Sequence, residues 1–199
     1  MENIKPNKTK VMTITSVLAA LSTVIYMLLE IPISAHLSIN FADVPALVAC
    51  ATVSPMAGVM VELFRCFVHA LLKGASTFYI GDIVNFIIGA AMVLSFSYMR
   101  RFMIKNSDKF SKNRVLPSGV AIAVGTLSAV ISGIIANLIF YPIYMTLMEV
   151  KIESATVYMA YMVTVTVTNL TRSVGNFGVF ALMLPAVPVL RRQLFLSGG

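Results

Sequence analysis

Polar residues at a helical spacing interrupt the last long apolar stretch of the chain. Asn169, Arg172 and Asn176 stand at i, i+3 and i+7, so all three lie on one face of a predicted helix. Asn137 stands in the apolar stretch before it. An asparagine side chain offers a donor and an acceptor, and an arginine offers a planar fork of donors. Together these groups match the alternating C=O and N–H edge of a flat, pyrimidine-like ring.

A ligand site explains these groups better than helix packing does. Polar contacts between membrane helices contribute well under ~2 kcal/mol each. For one asparagine, packing would be the favoured interpretation. Two asparagines and an arginine at similar depth favour a site, because a charge in hydrocarbon costs several kcal/mol (~3 or more) unless it meets a partner. Phe41, Tyr79 and Tyr141 could stack on the ring of such a ligand.

A second polar group lies on the third apolar stretch. Glu62, Arg65 and His69 share a helix face, and Glu62 can pair with Arg65 at i, i+3. We favour a buried ion pair that holds helices in register. A proton-coupled carrier, or a membrane-embedded enzyme that uses Glu62 and His69, is the alternative. His36 and His69 lack the spacing of a metal motif, so we predict no metal site.

Several catalytic motifs are missing from the sequence. The chain has no G-x-x-x-x-G-K-[ST] phosphate loop, no G-x-S-x-G elbow and no D-x-x-D pair. We therefore predict no catalytic residues and no ATP hydrolysis by the chain itself.

Composition places these residues in a membrane. Of 199 residues 58% are hydrophobic and 12% are charged, and the mean hydropathy is +0.89, which predicts an all-α integral membrane protein with several spans. We predict a tail over residues 1–10, a single six-helix membrane domain over 11–192 and a C-terminal tail over 193–199. The six predicted helices are 11–33, 41–53, 56–72, 80–99, 116–148 and 157–190.

Lysine and arginine predict the orientation. The N-terminal tail, residues 100–114 and the pair Arg191 and Arg192 hold eleven of the fifteen basic residues. With six spans all three segments lie on one side, so both termini are predicted to be cytoplasmic. The net charge of +7 is thereby explained without nucleic acid. Arg172 stands nineteen residues before Arg191, about 28 Å along a helix, and so belongs in the outer half of the membrane.

Four motifs in residues 39–91 resemble a known family. They are N-F-A-D-V-P-A-L, S-P-M-A-G-V-x-x-E-L, H-A-L-L-K-G and G-D-I-V-N-F-I-I-G-A. With T-V-T-N-L-T-R and A-N-L-I-F-Y-P-I-Y in the last two helices, they resemble the riboflavin-binding S components (RibU type) of energy-coupling-factor (ECF) vitamin transporters. Arg172 stands where the family has a lysine, and Asn40 stands where it has an acid.

The resemblance implies a multi-pass protein of the bacterial cell membrane that captures riboflavin, or an FMN-like ligand, from outside. A transmembrane T subunit and two ATPase subunits would drive the transport, with riboflavin as the transported ligand and no cofactor. An S component for thiamine or a pterin is the alternative. The expected binding residues are Asn40, Phe41, Ala42 and Asp43 in a closing first loop, with Tyr79, Asn85, Asn137, Tyr141, Asn169 and Arg172.

The first helix carries a strip of small residues. Ser16 and Ala20 are four apart, as are Ala19 and Thr23, and such pairs let another helix approach closely. In S components similar residues meet the coupling subunit, which implies a docking face here. Packing against another helix of the same chain is an equally good interpretation of the sequence.

Overall fold

Seven helices and one short hairpin make up the part of the chain that the structure describes. The computed structural model describes residues 8–34, 37–73, 79–106, 115–147, 149 and 154–196. The elements, in chain order, are α1 (Lys8–Leu28), β1 (Ile31–Ser34), β2 (Leu37–Ile39), α2 (Asp43–Thr52), α3 (Pro55–Lys73), α4 (Ile80–Lys105), α5 (Val115–Leu147), α6 (Ala155–Met183) and α7 (Val187–Leu196).

The first predicted helix is too long. It ends at Leu28 and not at Ile33, because the chain from Ile31 turns into an antiparallel hairpin whose strands pair Ile31 with Ile39. Pro32 therefore lies in a strand and does not mark the helix end. The helix also begins at Lys8, inside the predicted tail.

The prediction of six helices is wrong at the C-terminal end. The last predicted helix breaks at residues 184–186, between α6 and α7. Pro185 and Pro188 explain the break, because proline lacks a backbone N–H and disfavours helical geometry in the residue before it. The described residues therefore form seven helices, and α7 extends to Leu196 within the predicted tail.

Helix boundaries around α2 and α3 follow local capping chemistry. α2 begins at Asp43, whose carboxylate lies in the first turn, where negative charge is favourable. Two residues separate α2 from α3, and Ser54 Oγ there accepts a hydrogen bond of 3.1 Å from Ala57 N. Pro55 is the first residue of α3, a position at which its missing N–H costs nothing. The predicted separation of helices 41–53 and 56–72 is confirmed, with α3 beginning one residue earlier than predicted.

Four of the described helices are long and apolar enough to cross a membrane. They are α1, α3, α4 and α5; α2, at 10 residues, is apolar but shorter. α6 is 29 residues long but is not among the four, since polar residues such as Asn169, Arg172 and Asn176 interrupt it. Large apolar side chains cover much of the outer surface, as expected where hydrocarbon is the solvent.

Helix α4 lies between α3 and α5 and carries much of the core. Phe96 is fully buried and its ring lies 5.4 Å from Phe177 and 5.3 Å from Phe180 of α6, spacings typical of tilted and edge-to-face pairs. This cluster lies toward the end of α4 that carries Arg100, Arg101 and Lys105. The opposite end of α4 is left to line a cleft.

The small residues of α1 divide between two faces. Ala19 and Thr23 are buried, and Ala19 belongs to the core. Ser16 and Ala20 are exposed. The inner pair packs within the chain, while the outer pair leaves a smooth exposed surface on α1.

Candidate functional site

A cleft of about 650 Å³ lies between the N-terminal half of α4, the C-terminal half of α5 and the N-terminal half of α6. Ser38 of β2 also lines it, so the hairpin borders the cleft. The lining is mixed: the apolar side chains of Ile80, Val84 and Ile88 on α4 face amide and phenol groups from α5 and α6.

Half of the ten predicted binding residues line this cleft. They are Asn85, Asn137, Tyr141, Asn169 and Arg172. Three helices bring them together from positions up to 87 residues apart.

Two tyrosines form an aromatic wall. The rings of Tyr141 on α5 and Tyr161 on α6 stack with centroids 3.9 Å apart at an angle of 21°. Tyr158 extends the group at 5.8 Å from Tyr141. Parallel aromatic faces are surfaces on which a planar ligand ring can stack.

Asn137 is positioned by the protein. Its Nδ2 donates to Gly133 O at 2.8 Å, and its Oδ1 accepts from the Tyr161 hydroxyl at 2.9 Å. An asparagine amide has two N–H groups and an oxygen with two lone pairs. One N–H and one lone pair therefore remain for a ligand after these bonds are made.

Asn169 is the least satisfied polar group that lines the cleft. Its Nδ2 is shielded from solvent and has no hydrogen-bond partner among the described residues. The amide lies against Gly133 of α5, so closely that a Cβ at residue 133 would overlap Nδ2. Because a buried unpaired donor costs about 1–3 kcal/mol, this amide favours an acceptor that a ligand would supply.

Arg172 lines the cleft and is held in place by hydrogen bonds to two other side chains. Nε and Nη2 donate to the two carboxylate oxygens of Asp43 at 2.9 and 2.6 Å, and Nη1 donates to Asn85 Oδ1 at 2.6 Å. That the fork also binds carbonyl oxygens of a ligand stays a prediction, and Asp43 and Asn85 are the groups that hold the guanidinium in place. Only one N–H on each of Nη1 and Nη2 remains.

The other five predicted residues lie outside the lining of the cleft as the described part of the chain defines it. Asn40, Ala42 and Asp43 are buried, and Asp43 serves as the partner of Arg172. Phe41 packs against α6 at Gly175. Tyr79 is 46% exposed at the start of α4. The predicted closing loop is thus, for the most part, a buried support beneath the cleft.

A buried polar network extends from Arg172 to α3. Asp43 Oδ1 also lies 3.0 Å from Arg65 Nη1. Arg65 in turn pairs with Glu62, as the i, i+3 spacing predicts. Asn176 Nδ2 donates to Asp43 Oδ2 at 3.0 Å. Two arginines and two carboxylates are therefore arranged with alternating charge, which offsets the desolvation that a single buried charge would suffer.

The network reaches α1 through Asn85 and Tyr26. Asn85 Nδ2 donates to the Tyr26 hydroxyl at 2.9 Å, and the Arg65 guanidinium lies 5.0 Å from the centre of the Tyr26 ring, within cation–π range.

His69 is the third polar residue predicted on this face of α3, and its Nδ1 lies 2.6 Å from Asp82 Oδ1 of α4. Among the described residues no group of three or more His, Cys, Asp or Glu side chains could hold a metal ion.

Sequence reasoning missed part of the cleft. Tyr161, Thr168 and Arg172 stand at i, i+7 and i+11, so one helix face carries all three. Extending the polar face of Asn169 and Arg172 by two turns toward the N-terminus would have found Tyr161. Tyr144 and Ser38 also line the cleft, and neither was among the predicted binding residues.

Comparisons with known proteins agree on the type of protein. Residues 10–184 match the family described as "ECF transporter, substrate-specific component". The riboflavin transporter FmnP of Bacillus subtilis (strain 168) is 31% identical over 106 residues, which cover 51% of this chain and 54% of that protein. The riboflavin transporter RibU of Staphylococcus aureus (strain TCH60) is 27% identical over 143 residues, or 71% of this chain and 70% of that protein.

A solved structure supports the fold. The S component of a bacterial ECF transporter superposes with a TM-score of 0.70, covering 92% of this chain and 98% of that one at 20% identity. At that identity the similarity concerns the fold alone. The family match, which covers most of the chain, carries the assignment: this chain belongs to the substrate-specific components of ECF transporters, membrane transport subunits that bind a substrate and are not enzymes.

Proposed function

We propose that this chain captures riboflavin, or an FMN-like flavin, in the cleft between α4, α5 and α6 and delivers it for import. The observation that carries the proposal is the unpaired amide of Asn169 in a cleft that also holds Asn137 and the stacked pair Tyr141 and Tyr161. The names of the two riboflavin transporters similar to this chain support the same ligand.

The chemistry of the cleft suits an isoalloxazine ring. Its pyrimidine edge alternates C=O and N–H groups, so a carbonyl oxygen can accept from Asn169 Nδ2 while an adjacent N–H finds a free lone pair on an amide oxygen. Its flat faces can stack against tyrosine or pack on the apolar side chains of α4. Arg172, which also lines the cleft, contributes a positive charge that Asp43 holds in place.

The topology we infer has both termini in the cytoplasm and the cleft toward the outside. The C-terminal ends of α2 and α4 lie together with Arg191 of α7 at the basic end of the molecule, and basic residues favour the cytoplasmic side. The cleft begins near Ile80, 25 residues before Lys105 and therefore about 37 Å away along α4. The hairpin and the short α2 together make the second passage, so the chain still crosses six times.

The chain has no phosphate loop, so ATP hydrolysis that drives transport has to take place in partner subunits. We infer that a transmembrane T subunit and two cytoplasmic ATPase subunits supply this step. The exposed pair Ser16 and Ala20 on α1 is the surface we assign to the T subunit, because small residues let a partner helix approach closely.

An S component for another vitamin, such as thiamine or a pterin, is the second candidate, because amide groups and aromatic rings would also hold a pterin. Competition distinguishes the ligands. The purified chain should carry or take up a yellow flavin, and riboflavin should displace it at far lower concentration than thiamine or a pterin does. Preferential binding of thiamine or of the pterin would overturn the flavin assignment and leave the family unchanged.

A further inference from the structure

A second cleft, of about 840 Å³, lies at the opposite end of the molecule from the first. It is bounded by the C-terminal turns of α2 and α4 and by α7. Four cationic side chains line it: Arg100, Arg101, Lys105 and Arg191. No carboxylate is among the described residues that line it. Four positive charges therefore surround one concave space without a negative side chain within it.

Arg100 provides a second observation at this cleft. Its Nε is shielded from solvent and has no hydrogen-bond partner among the residues that the structure describes. A buried donor of a charged group without an acceptor is costly. Cations in the last turn of α4 are stabilised by the helix C-terminus, but this effect amounts to only about 0.3–1 kcal/mol. It does not satisfy the unpaired donor of Arg100. The arrangement therefore calls for an anionic acceptor.

The rest of the lining indicates which anion fits. Val53 and Ile104 contribute apolar side chains to the lining, so the cleft combines basic groups with apolar surface. Three of the four cations, Arg100, Arg101 and Lys105, stand within two turns of the end of α4, a helix long enough to cross a membrane. Such an end lies at the level of the lipid headgroups, and basic pockets between membrane helices bind anionic headgroups.

We propose that this cleft binds a phosphate-bearing anion, and that its source is an anionic phospholipid of the surrounding bilayer. The headgroup phosphate pairs with Arg100 and Arg101, and an acyl chain lies against the apolar surface. Arginine suits this role because its fork can hold two phosphate oxygens at once. The site is separate from the substrate cleft and does not depend on which vitamin that cleft binds.

The test uses the full-length chain, purified in detergent and stripped of lipid, with lipid binding followed by native mass spectrometry. Dioleoylphosphatidylglycerol is the anionic probe, dioleoylphosphatidylcholine is the zwitterionic comparison, and inorganic phosphate is the soluble comparison. The double variant Arg100→Gln/Arg101→Gln removes two charges from the cleft. The double variant Lys8→Gln/Arg192→Gln removes two exposed charges that lie outside its lining and is the matched control.

We expect the wild-type chain to prefer the phosphatidylglycerol, and the cleft variant to bind it about tenfold or more weakly, since each lost charge-assisted hydrogen bond has about that effect. The control should stay within about twofold of wild type. Equal weakening in both double variants would mean diffuse attraction and would overturn the proposal.

Two further outcomes would also overturn it. Inorganic phosphate that binds alone and displaces the lipid at equal concentration would identify a soluble phosphate as the ligand. Unchanged lipid binding, together with loss of association with the coupling subunits, would identify an acidic protein segment. If the cleft variant does not fold, as judged by circular dichroism, Arg101→Gln/Lys105→Gln repeats the test with two exposed side chains.

Discussion

Arg172 and Asp43, 129 residues apart in the chain, form a bidentate ion pair beside the cleft between α4, α5 and α6, with Nε–Oδ2 and Nη2–Oδ1 distances of 2.9 and 2.6 Å. Both side chains are at most 4% exposed. The pair joins the start of α2 to the middle of α6, so the first loop is tied to the helix that carries Asn169. It gives Asp43 a structural role, while the ligand contact expected of Asp43 from the sequence stays a prediction.

Asp43→Asn should destabilise the protein by about 3–5 kcal/mol, because it leaves Arg172 and Arg65 buried without their shared counter-charge. Thermal unfolding in detergent measures the effect. The double variant Asp43→Asn/Arg172→Gln should lose less than the sum of the two single variants, since it removes both members of the pair. Arg172→Lys should fall between wild type and Arg172→Gln, because it keeps the charge but not the fork. An Asp43→Asn protein that unfolds at the wild-type temperature would contradict this role.

Gly133→Ala should weaken flavin binding by about tenfold or more without removing any polar group. The new methyl group would overlap the Asn169 amide and force it out of its present position, and misplacing one hydrogen-bonding group costs about 1–3 kcal/mol. Gly119→Ala on the same helix is the control, since a Cβ there meets nothing within 4 Å. Fluorescence titration with riboflavin compares the two. Equal affinities would show that Asn169 does not need its present position.

Asn137→Ala and Asn169→Ala should each cost about 1–3 kcal/mol of binding free energy, because a group of the ligand is left unpaired. The Asn137 variant should show an additional structural effect, since the Tyr161 hydroxyl loses its acceptor. Isothermal titration of each single variant and of the double variant gives the coupling between them. Wild-type affinity in the double variant would place the ligand elsewhere.

Ala20→Trp and Ala19→Trp should have opposite consequences although the residues are neighbours on α1. Ala20 is exposed, so the larger side chain should leave riboflavin binding by the isolated chain intact and abolish uptake in cells that contain the coupling subunits. Ala19 is 6% exposed in the core, so tryptophan there should destabilise the fold itself. Normal uptake by the Ala20 variant would reject the docking face on α1.

Local sequence patterns predicted most helices and part of the cleft. Apolar runs predicted α3, α4 and α5, and the i, i+3, i+7 spacing placed Asn169, Arg172 and Asn176 on one buried face. The break between α6 and α7 was missed because Pro185 and Pro188 lie in an apolar run, where a kink and a full break look alike in sequence.

The partners of the polar residues could not be predicted in the same way. Arg172 was expected to meet a ligand because nothing in α6 indicates that Asp43, in another element, supplies its counter-charge. The i, i+3 pair Glu62 and Arg65 was predictable because both partners lie on one helix. Long-range pairs depend on how helices pack, which no local spacing encodes.

The central claim, that the cleft between α4, α5 and α6 binds a flavin, is tested most directly by titrating riboflavin with the purified chain and following the quenching of its fluorescence. We expect saturation at one flavin per chain, with Asn169→Ala shifting the curve to higher concentration and Arg192→Gln, outside the lining of the cleft, leaving it unchanged. Absence of saturable quenching, or an Asn169→Ala curve that superposes on the wild-type curve, would contradict it.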